Sequence, residues 1–227
     1  VVGALGSPVL DVTIAAEGQL RLDDARDASI KLGGGGQAAN FCAWSAALGE
    51  SSRLVTRVGE DDLGRRLVAE IEAGGVEVKA VRSPDPTGTI AVLISATGER
   101  SFARQERAVF GLRPEDIEED WFKGLNLLHV PAYSLFAEPL ASTTRRAVEI
   151  ARADGAIISV DLSSAAGIRE YGGARLALDL ARLHPELVFA NEAEAAELGA
   201  PLEGMAKVPV VKLGTRGVRV FGRRVPA

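Results

Sequence analysis

The sequence predicts an α/β fold, a doubly wound and mainly parallel sheet that carries a small second β-sheet. Short apolar runs alternate with longer helical patterns, which is typical of consecutive βαβ units. Several runs consist almost wholly of Val, Ile and Leu, as in strands covered by helices on both faces. One stretch, residues 88–104, breaks this rhythm and predicts two strands around a turn. We expect residues 1–227 to form one domain of this class.

The elements are predicted in order along the chain. Main-sheet strands are predicted at residues 1–5, 53–58, 125–130, 157–161, 187–190 and 208–213. Helices are predicted at residues 37–48, 61–73, 142–153, 174–183 and 192–198. The small antiparallel sheet is predicted within residues 11–32 and 88–104, with a polar segment around Asp23, Asp24 and Asp27 and a turn at residues 96–99.

Two features of the helices refine these predictions. Ser142 has the side chain of a good N-cap for the helix that follows it. In the first helix Phe41, Trp44, Ser45 and Leu48 recur at i, i+3, i+4 and i+7. We therefore expect this face of the helix to pack on the sheet.

Composition limits the classes of function. The chain has 227 residues and a net charge of −5, which argues against a dedicated nucleic-acid binder. No apolar run reaches the ~18 residues that span a bilayer, so we expect no membrane partner. The single cysteine, Cys42, cannot form an internal disulfide and is expected to be a small buried thiol. These features predict a cytoplasmic protein.

The strongest local motif is a glycine run at residues 33–40, Gly-Gly-Gly-Gly-Gln-Ala-Ala-Asn, which joins a strand to a helix. Glycines allow close approach of a ligand to the backbone, and Asn40 offers both a donor and an acceptor to a polyol. A flexible connector is the alternative, although connectors seldom join two elements directly. Asp11 alone would be a turn residue, but in a parallel sheet Asp11, Gly35, Gly36 and Asn40 would lie at one edge, where they could bind sugar hydroxyls.

Several common catalytic patterns are absent from the sequence. There is no G-x-x-x-x-G-K-[ST] motif, and Gly3 and Gly6 do not make a G-x-G-x-x-G fingerprint, so a P-loop NTPase and a Rossmann dehydrogenase are disfavoured. His129 and His184 lack partners at metal-ligand spacing and are expected to be structural or surface residues. No Ser-His-Asp order or nucleophile elbow indicates covalent catalysis.

Two motifs near the C-terminal end each have a structural and a functional interpretation. Asn191 followed three residues later by Glu194 is a helix cap, but the pair could also hold waters around Mg²⁺. Lys212 precedes a turn bordered by Gly214 and Gly217, which could be a plain hairpin or could let nucleotide phosphates or ribose approach the backbone.

The ordered set of motifs resembles the PfkB (ribokinase-like) family of carbohydrate kinases. The resemblance covers most of the chain and rests on residues 3–11, 35–40, 59–64, 98–100, 191–194 and 213–217. It implies a ribokinase-like α/β body with a small β-sheet lid that closes over the sugar. It also implies transfer of the γ-phosphoryl group of ATP to a sugar or nucleoside hydroxyl, with Mg²⁺.

The resemblance assigns roles to residues of this sequence. It implies that Asp11, Gly35, Gly36 and Asn40 hold the sugar hydroxyls. It implies that Asn191 and Glu194 organise Mg²⁺ and phosphate waters, with Glu194 acting on the metal through water, and that Lys212, Gly214 and Gly217 border the nucleotide. The G-A-G-D segment that supplies the base in this family is not in the sequence, so no catalytic base is assigned and we expect the chain to lack the C-terminal part of the fold.

The substrate and the assembly stay open. Arg104 and Arg107 could bind the carboxylate of a keto-deoxy sugar acid, but the D-x-N-x-R pattern expected for such kinases is absent at residues 161–165. A neutral sugar, a nucleoside or a non-catalytic sugar- or nucleotide-binding module remain alternatives. Val92 and Ile94 give the lid an apolar face, which predicts a homodimer that pairs through the lids.

Overall fold

The computed structural model describes residues 1–16, 18, 25, 27–95 and 98–227. Part of the predicted polar segment, with Asp23 and Asp24, lies outside the described residues. The same is true of Ala96 and Thr97 in the predicted turn.

Strands and helices alternate along the chain as the sequence predicts. The strands are β1 (Val2–Leu5), β2 (Val9–Ala16), β3 (Ala28–Gly35), β4 (Ser52–Gly59), β5 (Val76–Ser83), β6 (Gly88–Ile94), β7 (Arg100–Gln105), β8 (Leu127–Pro131), β9 (Ile157–Asp161), β10 (Leu187–Asn191), β11 (Val208–Lys212), β12 (Val218–Val220) and β13 (Arg223–Val225). The helices are α1 (Gln37–Ala47), α2 (Asp62–Ala73), α3 (Arg107–Phe110), α4 (Leu140–Ala153), α5 (Ala165–Tyr171), α6 (Gly173–Leu183) and α7 (Glu192–Leu198).

Within the described residues the main sheet has nine strands in the order β13-β12-β11-β10-β9-β8-β1-β4-β5. All neighbours from β11 to β5 are parallel, and β12 and β13 add an antiparallel hairpin at one edge. The predicted mainly parallel α/β sheet is therefore confirmed.

The sheet is wound in both directions from its centre. From β1 the chain steps through α1, β4, α2 and β5 toward one edge, and from β8 it steps through α4, β9, α5, α6, β10 and α7 toward the other. Because βαβ crossovers are right-handed, opposite directions put the two sets of helices on opposite faces. The buried side chains follow this division: Leu5 belongs to the larger core, whereas Ala4, next to it in β1, packs with Ala38 and Cys42 of α1.

The predicted packing face of α1 is wrong. Trp44 and Leu48 are 71% and 81% exposed, and the helix instead buries Ala38, Ala39 and Cys42. The small side chains let α1 lie close to the sheet, so Trp44 and Leu48 are on the outer side, and of the predicted apolar residues only Phe41 packs inward. Helical periodicity predicted an apolar face, but the face that packs on the sheet is the one with the small side chains, because it allows the closest approach.

Other boundaries differ from the predictions in two ways. Helix α4 begins at Leu140, so Ser142 lies inside its first turn and is not the N-cap. Strand β5 and helix α5 were not predicted. Strand β5 alternates Glu77 and Lys79 with Val76, Val78 and Ala80, which is a pattern of an edge strand and not of one buried on both faces.

The small sheet has the order β3-β2-β6-β7. Its two hairpins, β2–β3 and β6–β7, are antiparallel as predicted, but they join through a parallel pair, β2 and β6. The sheet is therefore mixed and not antiparallel throughout. Val9 of β2 pairs with Gly88 of β6, so both hairpins start at the same end of the small sheet.

Within the described residues every helix is too short or too polar to cross a bilayer.

Candidate functional site

The glycine run of β3 lies against the carboxylate of Asp11. Asp11 is in β2, and a Cβ atom on Gly35 would come within 2.1 Å of its Oδ2 atom. No side chain fits between the two residues, so Gly35 is the residue that lets the carboxylate occupy this position. Burial raises the pKa of Asp11 above its ordinary value.

Gly36 turns the chain from β3 into α1. It has a φ of 96°, and a Cβ atom there would lie 2.1 Å from the carbonyl oxygen of Ser7. Asn40 follows one turn later, where its backbone N–H donates to the carbonyl of Gly36 at 2.8 Å and its residue surface is exposed. The structure thus brings the predicted residues Asp11, Gly35, Gly36 and Asn40 into one region.

Arg104 faces the same side of the small sheet as Asp11. In the register, Gly33, Asp11, Ile90 and Arg104 pair in one row across all four strands. Directly paired residues share a face, so the Asp11 and Arg104 side chains point to the same side with two strand spacings, roughly 10 Å, between their backbones. In the described part of the chain, Arg104 makes no ion pair.

Asn191 and Glu194 form a reciprocal cap at the start of α7. The Asn191 side chain accepts from the Glu194 N–H, and the Glu194 carboxylate accepts from the Asn191 N–H, each at 2.8 Å. The predicted capping arrangement is therefore confirmed.

Glu194 is also a buried carboxylate. Only 4% of the residue is exposed, and its pKa is raised by burial and, to a smaller extent, by the charge of Asp161. Its Oε1 atom accepts no hydrogen bond from a described residue. No three His, Cys, Asp or Glu side chains of the described residues group closely enough to hold a metal directly. One carboxylate with a free oxygen fits Mg²⁺, which keeps waters and is held by few protein ligands plus phosphates.

Lys212 reaches across β10 to Asp161. Its Nζ atom lies 2.5 Å from Oδ2 of Asp161, at the ends of β11 and β9. Sequence reasoning predicted a role for Lys212 but missed Asp161. The available signal was position: Asp161 ends a predicted parallel strand, Asn191 directly follows a second and Lys212 is the last residue but one of a third, and such strand ends meet at one edge of the sheet.

The turn after Lys212 is a hairpin between antiparallel strands. Residues Gly214–Arg216 form a single 3₁₀ turn that joins β11 to β12. A Cβ atom on Gly214 would meet nothing within 4 Å, so its backbone is open to a ligand. The backbone alone explains why position 217 is a glycine, because its φ is 88° and a Cβ atom would lie 2.0 Å from the carbonyl oxygen of Val225.

The two histidines and the cysteine have structural surroundings. His129 is buried, stacks on Phe41 with 4.3 Å between ring centroids and contacts the Ser159 hydroxyl at 3.1 Å. His184 is exposed and caps α6 with a left-handed conformation. Cys42 is buried, and its thiol donates to the Arg53 carbonyl.

A further polar group lies where the winding direction changes, between β1 and β8. Ser7 follows β1, and its hydroxyl donates to Glu106 Oε1 at 3.0 Å. The Ser7 N–H donates to the Tyr133 hydroxyl at 3.3 Å. The crevice at such a switch point is the usual ligand position in open α/β sheets. Sequence reasoning missed this group because its members are far apart in sequence.

Comparisons with known proteins agree with this architecture. The sequence profile described as "pfkB family carbohydrate kinase" matches residues 2–224. A fructokinase of Klebsiella pneumoniae is 33% identical over 161 residues, which are 69% of this chain and 48% of that protein. An ATP-dependent ribose-1-phosphate kinase of Halopiger xanaduensis is 30% identical over 191 residues, 83% of this chain and 60% of that protein. The chain spans about half the length of the curated relatives it matches.

Solved structures share the fold over the whole chain. The adenosine kinase from Sinorhizobium meliloti superposes with a TM-score of 0.86 at 24% identity, covering 100% of this chain and 79% of that one. The fructokinase of Halothermothrix orenii gives a TM-score of 0.82 at 20% identity, covering 100% and 85%. With a mainly parallel α/β sheet, a second small sheet and a profile match over nearly every residue, the chain belongs to the pfkB family of carbohydrate kinases.

Proposed function

We propose that this protein functions in ATP-dependent phosphorylation of a hydroxyl group on a small carbohydrate, with Mg²⁺. The observation that carries the proposal is that two groups follow the carboxyl ends of parallel strands of the main sheet: one adjoins Ser7, which follows β1, and the other lies at the ends of β10 and β11. Asp11 and Asn40 belong to one group, and Asn191, Glu194 and Lys212 belong to the other. The first group would supply a polyol site and the second a phosphate and metal site at the same edge of the sheet, which is what a sugar kinase needs.

The reaction defines what each group would do. A sugar hydroxyl oxygen bonds to the γ-phosphorus of ATP, the bond from that phosphorus to the β–γ bridging oxygen breaks, ADP leaves, and the hydroxyl proton passes to a base. Asp11 and Asn40 would orient the hydroxyls. Glu194 would hold waters of Mg²⁺, which neutralises phosphate charge when bound. The backbone at Gly214 and Gly217 would border the nucleotide.

The small sheet would act as the lid over this site. Asp11 lies on a strand of that sheet, so a sugar that binds Asp11 is held directly by the lid. Closing the sheet over the sugar would exclude water, which otherwise competes with the sugar hydroxyl for the γ-phosphoryl group.

ADP release with a panel of acceptors tests the proposal. The panel contains fructose, ribose, adenosine, ribose 1-phosphate and a keto-deoxy sugar acid, assayed with ATP and Mg²⁺ on the complete gene product. We expect ADP release with a neutral sugar. Binding of ATP and sugar without phosphorylation of any acceptor would instead favour a non-catalytic binding module.

A specific observation favours an anionic acceptor as the second candidate. Arg104 shares a face and a row with Asp11, and Lys31 lies in the next row of that face, paired with Thr13. A sugar held by Asp11 could place a phosphate or carboxylate toward these cations. A sugar phosphate or a keto-deoxy sugar acid would then be the acceptor, and one relative is named for ribose 1-phosphate.

Two arginines on one strand separate this candidate from the neutral sugar. Arg100 lies on the same face of β7 as Arg104 but four residues away, at the other end of the strand. For an anionic acceptor, Arg104→Gln should raise KM more than tenfold and Arg100→Gln should not. Equal KM values for both variants and the unmodified protein would support the neutral sugar.

We also propose a homodimer that pairs through the small sheets, and a cytoplasmic location. Val92 and Ile94 are half-buried and share the face of Asp11. Exposed apolar side chains lie on both faces: Phe102, paired with Val92, is 64% exposed on the face of Asp11, and Ile30 and Leu32 are 61% and 59% exposed on the other face. Light scattering at micromolar concentration should give the mass of a dimer, and Leu32→Asp should give a monomer.

A buried free thiol at Cys42 is compatible with the reducing compartment of the proposed cytoplasmic location.

A further inference from the structure

The ion pair between Asp161 and Lys212 ties together the ends of two strands that are not neighbours. Lys212 ends β11 and is paired with Asn191 of β10, while Asp161 ends β9 and is paired with Phe189 of β10. The lysine side chain therefore crosses the end of β10 to reach the carboxylate. It does so directly beside the cap that starts α7.

The two partners differ in exposure. The Asp161 side chain is 12% exposed, whereas the Lys212 side chain is 42% exposed. A fixed, mostly buried carboxylate thus holds an ammonium group that is open to solvent on its other side. A lysine side chain free of such a partner would sample many rotamers, because its four-carbon stem is flexible.

Asp161 is itself held in place. Its Oδ1 atom accepts from the Ser163 N–H at 2.9 Å, and its carbonyl accepts from the Ser163 hydroxyl at 2.8 Å. Ser163 has a φ of 69°, which the two hydrogen bonds help to stabilise. Only Oδ2 is directed at Lys212, so the carboxylate has one atom for the turn and one for the lysine.

We infer that Asp161 is a positioning residue that holds the Lys212 ammonium at the carboxyl edge of the sheet, where it meets the phosphates of the nucleotide. The inference rests on the proposed function. The opposite effect is physically possible: an aspartate that competes with phosphate for the same ammonium would weaken nucleotide binding. If Asp161 positions Lys212, replacing Asp161 weakens ATP binding; if Asp161 competes with phosphate, replacing it tightens ATP binding.

Asp161→Asn isolates the interaction. The asparagine Oδ1 can still accept from Ser163, whereas its amide nitrogen cannot accept from Lys212. We expect this variant to bind ATP with Mg²⁺ about tenfold more weakly by calorimetry, as does Lys212→Met. In the Lys212→Met background, Asp161→Asn should cause no further loss, because Asp161 acts through Lys212.

Matched controls separate positioning from general damage. Asp179→Asn alters another buried carboxylate, bonded to Tyr171, and Lys207→Met removes another lysine paired with a glutamate. Both should bind ATP as the unmodified protein does. Unchanged or tighter binding by Asp161→Asn, additive losses in the double variant, or an equal loss in Asp179→Asn would each overturn the inference.

A spectroscopic readout uses the unmodified protein and needs no activity. The chain has five lysines, so ¹³C-lysine labelling gives few side-chain Cε resonances, and the Lys212 resonance is identified by its loss in Lys212→Met. In the unmodified protein the Lys212 resonance should be broad, and it should shift when ATP is added. In Asp161→Asn the same resonance should become narrow. A mobile Lys212 in the unmodified protein, or a resonance that bound ATP does not move, overturns the inference alone. Absence of ATP binding to the unmodified protein overturns the proposed function as well.

Discussion

Asp61 and Thr87 join the start of α2 to the chain that leads into β6. The Asp61 carboxylate accepts from the Thr87 N–H at 2.8 Å and from the Thr87 hydroxyl at 2.6 Å, and it also caps α2 by accepting from the Gly64 N–H. The Thr87 hydroxyl in turn accepts from the Gly59 N–H. One carboxylate thus links the segment that leads into β6 of the small sheet to helix α2 beside the main sheet.

Asp61→Asn should therefore destabilise the protein. The new amide nitrogen cannot accept from the Thr87 N–H, so a buried donor loses its partner, at a cost of about 1–3 kcal/mol in the free energy of unfolding. Urea unfolding measures the loss. Asp62→Asn is the control because the Asp62 side chain is 98% exposed and should change stability by no more than about 0.5 kcal/mol. Equal effects of the two variants would contradict the assignment.

The same carboxylate predicts a pH dependence. Burial raises the pKa of Asp61, but hydrogen bonds from Thr87 and Gly64 and the charge of Arg65 outweigh it, so the net pKa is lowered. Its contribution is present above the unfolded-state pKa of 3.8 and is lost as the pH falls below that value. The stability difference between the unmodified protein and Asp61→Asn should therefore shrink below about pH 4. A difference that is constant from pH 7 to pH 3 would exclude this role.

Gly36→Ala and Gly33→Ala should have very different effects. At Gly36 the positive φ and the Ser7 carbonyl both oppose a side chain, so we expect a loss of about 3 kcal/mol or more in the free energy of unfolding. At Gly33 a Cβ atom would meet nothing within 4 Å, and the change should be within about 0.5 kcal/mol. Thermal unfolding of both variants tests this. A stable Gly36→Ala protein would mean that the entry to α1 can rearrange.

Asp11→Asn and Asn40→Ala should weaken binding of the sugar. Each removes a group proposed to bond a hydroxyl, at a cost of roughly 1–3 kcal/mol, or about 5- to 150-fold in Kd. The sugar with the fastest ADP release should be used for calorimetry. Asp27→Asn is the control, since Asp27 is an exposed carboxylate before the far end of β3. Wild-type affinity in both variants would mean that the sugar binds elsewhere.

His129 should make the protein less stable as the pH falls from 6.5 to 4. Burial lowers the pKa of His129 from 6.5 to about 4, with the charges of Asp161 and Lys212 acting in opposite directions. Across this range the unfolded chain binds a proton that the folded protein does not, which costs up to roughly 3 kcal/mol. His129→Gln should flatten this part of the profile measured by urea unfolding. An unchanged slope in the variant would show that another group titrates.

Cys42 should react with thiol reagents only when the protein opens. Burial raises the pKa of its thiol to about 12, so little thiolate exists at pH 8. We expect slow labelling by a disulfide reagent in buffer and complete labelling in urea. Stoichiometric labelling of the folded protein within minutes would contradict the burial of this residue.

The sequence was most informative where local pattern and tertiary position agree. Strand β9 was predicted with its observed bounds, because a run of apolar residues in a central parallel strand is buried on both faces. The cap at Asn191 was readable because its two partners are three residues apart.

Other features depend on distances that a sequence does not contain. Asp161 and Lys212 are 51 residues apart, and their contact exists only because β9 and β11 flank β10. The exposed position of Trp44 follows from how closely α1 approaches the sheet. The parallel pairing of β2 with β6 could not be read from two hairpin patterns, each of which is complete by itself.

That parallel pairing has a consequence for how the chain folds. Strands β2 and β6 are adjacent in space, but β4, α2 and β5 lie between them in the sequence. Closing such a long loop has an entropic cost that local hairpins avoid, so contacts of high sequence separation form late unless other structure brings the segments together. The pairing of β1 with β4 supplies that help. We expect the small sheet to assemble last, with its high contact order setting the slowest folding phase.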